Sequence, residues 1–109
     1  MEIINIAVPD MNDSFSRVVL DNTQYLIRFT WNEVGQSWSF GLYTMQHEPI
    51  AVGVKMVSRF PLNLQIIDDR YPKGVFGVYS DFDRIGRNSF TEGKAAFSYI
   101  SPGVDGDGP

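Results

Sequence analysis

One histidine, two tryptophans and a scatter of carboxylates are the residues with which this chain could do chemistry. His47 stands in the turn-like stretch "MQHEP" (Met45 to Pro49), with no Ser–Asp context around it and no Cys anywhere in the chain. Without such partners neither a nucleophilic triad nor a thiolate zinc site can be built on it. The stretch "DFDRIG" resembles the start of a calcium loop: Asp81 and Asp83 fit ligand positions 1 and 3, and Gly86 fits the sharp turn. Ile85, however, offers no oxygen at the fifth position, Glu92 reaches the twelfth only by a loose count, and no flanking helices are indicated. These carboxylates read as solvated loop charge. Asp68 and Asp69 are neighbours in sequence, whereas paired catalytic acids must face each other across a substrate. Gly103, Gly106 and Gly108 lack the strand-to-helix junction of a phosphate loop. No catalytic, cofactor-binding or metal-ligating residue is therefore assigned, and the chain does not read as an enzyme.

Trp31 and Trp38 remain. Exposed, they would form a stacking platform for a sugar or a base; buried, they are core. Both lie in phase with Phe29 and Phe40 on apolar faces, which favours burial. A small carbohydrate- or nucleic-acid-binding β module using Trp31 and Trp38 stays the alternative reading. Stacking on single strands normally comes with a basic groove. The net charge of −4 argues against one, and against nucleic acid as a partner.

The elements that must hold these residues alternate with period two. "EIINIAV" (Glu2 to Val8) reads as a strand ended by Pro9, and "FSRVVL" (Phe15 to Leu20) as a second one. "DNT" (Asp21 to Thr23) reads as a tight turn, because Asp and Asn tolerate left-handed backbone. Tyr25, Ile27, Phe29 and Trp31 then share one face; after "NEVGQ", Trp38, Phe40 and Leu42 share another. Two such runs around a short Asn- and Gly-containing loop predict a β-hairpin. Further strands are predicted over "IAVGVKM" (Ile50 to Met56, with a bulge or a close backbone approach at Gly53), "FPLNLQII" (Phe60 to Ile67), "VFGVYS" (Val75 to Ser80) and "KAAFSYIS" (Lys94 to Ser101). "DDRYPKG" and "DFDRIGRNSFTEG" read as loops, the second with at most one helical turn. Met45 and Met56 read as gap-fillers in the core.

No window sustains a helical period. The expectation is an all-β, single small domain over 1–101, with about seven to eight short, mostly antiparallel strands in a sandwich or partly open barrel. Residues 102–109 are expected to be a flexible Gly/Pro/Asp tail. A chain of 109 residues that is 43% hydrophobic and 20% charged can bury one core. The absence of Cys fits a reducing compartment. "MEIINIAVPD" has no basic leader, and no apolar run approaches the ~20 residues of a membrane helix. A soluble protein made in a cytoplasm, with no membrane partner, is expected.

Taken together, several segments resemble one family. They are "IINIAVP", then "NDSFSRVVLDNTQYLIRFTWNE" running into "GQSWSFGLY", then "PIAVGVKM", the Phe60 to Leu62 stretch and "GVFGVYSD". The pattern covers about Met1 to Ser101, with Tyr25 to Tyr43 its most specific part. It is similar to the small structural proteins typified by the baseplate plug of a cyanophage with a contractile tail.

The resemblance implies a virion protein of the tail baseplate, near the central hub and the lower end of the tube, present in the host cytoplasm during assembly. Its implied partners are other baseplate proteins (hub, spike, tube or wedge components), and homo-oligomers are compatible with it. It implies no cofactor and carries no catalytic residues. Function would then lie in strand edges and loops. "DDRYPKG" and "DFDRIGRNSF" become candidate contact surfaces, with Tyr71 and Phe90 expected as exposed anchors beside Arg70 and Arg87. Those arginines lie among Asp68, Asp69, Asp81 and Asp83, so both loops carry mixed charge.

Overall fold

The computed structural model describes residues 3–58, 62, 69–80 and 85–101. Among them seven strands form: β1 (Ile3–Ile6), β2 (Asp13–Leu20), β3 (Thr23–Asn32), β4 (Ser37–Tyr43), β5 (Pro49–Lys55), β6 (Val75–Ser80) and β7 (Ala95–Ile100). They make two antiparallel sheets, ordered β1-β7-β6 and β2-β3-β4-β5, which do not close into a barrel. The expected all-β architecture is a sandwich. The expected strand over "FPLNLQII" lies outside the described residues, apart from Leu62.

The hairpins follow from local chemistry. Leu20 pairs with Thr23, so β2 and β3 are joined by two residues, Asp21 (φ 52°) and Asn22 (φ 67°). Both are left-handed, the backbone that matches the twist of a two-residue hairpin. The β3–β4 hairpin closes at Asn32 opposite Ser37. Its left-handed residue is Gln36 (φ 52°) and not the neighbouring glycine. Gln36 donates its amide to the Glu33 carbonyl (2.8 Å), while Asn32 Oδ1 accepts the Gly35 N–H (3.1 Å). β5 starts at Pro49, where a missing N–H costs little at the head of an edge strand. Gly53 (φ 66°) sits where the pairing with β4 slips, the bulge of the two expected alternatives.

β3 buries every second residue (Tyr25, Ile27, Phe29, Trp31), and β4 buries Trp38, Phe40 and Leu42. These meet Phe76, Val78, Phe97 and Tyr99 of the facing sheet. Phe29 stands edge-on to Phe97 (5.8 Å), and Phe40 lies 5.3 Å from Phe76 and 5.0 Å from Phe97. Each such ring pair adds about 0.5–1.5 kcal/mol beyond the area it removes from water. Trp38 (1% exposed) and Trp31 (7% exposed) pack edge to face at 5.5 Å. Their indole N–H groups are satisfied by the Gly86 carbonyl (3.3 Å) and the Glu33 carboxylate (2.9 Å). The rings are core and present no stacking platform.

Candidate assembly surfaces

The four sequence-derived contact residues fall at opposite ends of the sandwich. Arg70 and Tyr71 sit by the first residues of β3, where the Tyr25 hydroxyl donates to the Arg70 carbonyl (3.0 Å). Arg87 and Phe90 sit by its last residues, against Trp38, the cross-strand partner of Trp31. Tyr25 and Trp31 are six residues apart, or roughly 20 Å along a strand.

At the first end the loop 69–73, the β2–β3 turn and the β4–β5 connection enclose a groove of roughly 780 Å³. Asp21, Tyr25, Ile50, Arg70, Tyr71 and Lys73 are among its walls. Arg70 is tied to its own chain by Glu48 (3.3 Å) and the Pro49 carbonyl (3.1 Å). Tyr71 is half-buried and stands edge-on to Phe76 at 6.0 Å. Burial pushes its phenol up to about 12.

At the second end Arg87 donates to Asn12 (2.7 Å) and Asp10 (2.9 Å) and lies 5.3 Å above the Trp38 ring. Phe90 is half-buried and meets Trp38 at 6.3 Å. Tyr71 and Phe90 are thus not the exposed loop anchors expected from sequence. Sheet ends leave core rings uncovered, and these two fold back to cover Phe76 and Trp38. Asp69, Arg70 and Lys73 beside Tyr71, and Asn88 beside Phe90, are exposed.

The outer face of the four-stranded sheet carries a cluster that sequence reading did not single out. Arg28 forks onto Asp13 (2.8 and 2.6 Å) and lies 5.8 Å over the Phe15 ring. Phe15 also stands edge-on to Tyr43 and His47, each at 5.4 Å. The signal was present in "FSRVVL": alternation places Phe15 and Val19 opposite Val18 and Leu20, so β2 is apolar on both faces. His47 is exposed and left-handed (φ 66°), and Asp69 is exposed. Among the described residues, no three His, Cys, Asp or Glu side chains are grouped as metal ligands. Asp68, Asp81, Asp83 and the tail glycines lie outside the described residues.

This framework is matched over residues 1–102 by the family model described as the cyanophage baseplate Pam3 plug gp18. No curated protein matches the chain.

Proposed function

The chain belongs to the cyanophage baseplate plug family, and from that premise we propose that it seals the tail near the central hub and the lower end of the tube. The observation that carries this reading is the family match, which spans every described strand. It acts through protein contacts with hub, spike, tube or wedge components. The two ends of the sandwich are its contact surfaces, one around Arg70 and Tyr71 and the other around Arg87 and Phe90. The distance between them suits a subunit held between two neighbours. The rigid core between the ends would keep both surfaces in fixed relation.

Arg70→Glu and Arg87→Glu test this without removing a core ring. Plug occupancy in purified tails would be read by cryo-electron microscopy, and folding of each variant by circular dichroism. Folded variants missing from the baseplate are the expected result. Normal occupancy with both charges reversed would remove these surfaces from consideration. Density for the chain far from the tube's lower end would overturn the placement.

A further inference from the structure

Among the described residues, β2 is the long sheet edge that no proline, bulge or neighbouring segment interrupts or covers. β5 starts with proline and is bulged at Gly53. β1 has four residues. Along β6, the Leu62 N–H already reaches the Phe76 carbonyl (2.8 Å), and Ser58 reaches the Ser80 carbonyl (3.3 Å). β2 runs eight residues in unbroken register with β3, without Pro or Gly, and pairs with no second strand among the described residues. Long, regular, unprotected edges are templates for another strand.

The ladder shows which groups are on offer. The Trp31 N–H bonds the Asn12 carbonyl (2.8 Å), and the two-residue turn closes at Leu20–Thr23. Antiparallel pairs alternate, so even-numbered residues of β2 spend their backbone groups on β3. Asp13, Phe15, Arg17 and Val19 then aim theirs at the open edge. Their side chains share the outer face, where Phe15 is 47% and Val19 53% exposed. Arg17 is exposed and makes no ion pair among the described residues.

We infer that this edge pairs with the same edge of a second copy, antiparallel about a two-fold axis through Phe15. In that register Phe15 faces Phe15 and Asp13 faces Arg17, and Met11, exposed in the bend just before β2, comes opposite Val19 if the strand is extended by two residues. An apolar centre is flanked on both sides by an ion pair and, with that extension, by an apolar pair, each generated twice by the symmetry. Arg17 of the second copy joins the carboxylate that Arg28 already holds in place. On the inner face Ser14 comes opposite Ser16. The Ser14 hydroxyl is shielded from solvent and has no hydrogen-bond partner among the described residues, and this pairing supplies one. Shifting the axis to Ser16 would set Asp13 against Val19 and lose the charge pairing. The local match also matters because each copy carries a net charge of −4. The result is one continuous sheet of two four-stranded halves.

The inference does not depend on where in the baseplate the chain sits, and it is tested on the purified protein. Sedimentation at tens of micromolar should show a dimer. Arg17→Pro removes an N–H that β3 does not use, and proline is tolerated on such an edge. It should lower the association constant by at least about tenfold while the melting transition persists. The chain has no Cys, so Ser14→Cys/Ser16→Cys should form an interchain disulfide under mild oxidation, with either single variant linking far less. A monomeric wild type overturns the inference, as does an Arg17→Pro variant that stays dimeric. Single-variant linking as strong as that of the double variant overturns the register.

Discussion

Tyr99, on the central strand of one sheet, donates its hydroxyl to the Asp21 carboxylate in the turn of the other. The same phenolic oxygen accepts the Gly74 N–H at 2.7 Å. One buried side chain therefore ties three segments at the groove end: the β2–β3 turn, the start of β6 and the end of β7. Asp21 holds this position from a left-handed backbone (φ 52°) at the hairpin tip.

Tyr99→Phe keeps the ring and removes both bonds. It leaves the Gly74 N–H without its acceptor, so a loss of about 1–3 kcal/mol in urea unfolding is expected. A double-mutant cycle with Asp21→Ala should show coupling, because the two groups act through one contact. Additive effects would show that the bond contributes nothing to stability.

Stability should fall as the pH rises through the tyrosine range. Burial raises Tyr71 to about 12, raises Tyr99 together with its bond to Asp21, and raises Tyr25 together with the nearby Asp21 charge. In the unfolded chain these phenols ionise near 10. Above that the unfolded state binds fewer protons than the native one, so unfolding free energy declines with pH. Below it the contribution is constant. Urea midpoints between pH 8 and 11 should be flat and then fall, and Tyr71→Phe should shallow the fall.

How much of this was legible in the sequence depends on whether a contact is local. Tyr25 to Leu42 alternates cleanly because the opposing positions of β3 and β4 are largely polar or small, so the hairpin and its buried tryptophans could be read directly. β2 is apolar on both faces, and its period alone could not say that Phe15 faces outward. Tyr71 and Phe90 sit in loops, where a ring reads as exposed. Their partners, Phe76 and Trp38, belong to separate elements, and no local pattern encodes the fold-back. The bulge at Gly53 was visible as one of two alternatives, but Gln36 taking the left-handed position beside Gly35 was not, since it is held by its own side chain on Glu33.

The β2–β3 turn offers a test of backbone rather than contact. Asn22 holds φ 67°, which costs an ordinary residue roughly 1 kcal/mol or more. Asn22→Ala should destabilise by about that amount, whereas Asn22→Gly should be neutral or slightly stabilising. Thermal melts of the pair would check it; equal melting points would mean that the turn does not constrain the fold.

Gly74 is constrained by space. A Cβ there would lie 2.1 Å from the Ile100 carbonyl oxygen and 2.6 Å from the Tyr99 ring. The first contact is backbone and cannot rotate away, so Gly74→Ala must push the start of β6 off β7. The second would displace the phenol from Asp21. A loss of about 1–3 kcal/mol is expected, as for overpacked cores. In Tyr99→Phe the bond to Asp21 is already gone, and the added methyl can no longer break it. Gly74→Ala should therefore cost less in the Tyr99→Phe background than in the wild type. Chemical denaturation of the four proteins would measure the difference. An undiminished cost would assign the whole effect to the Ile100 carbonyl.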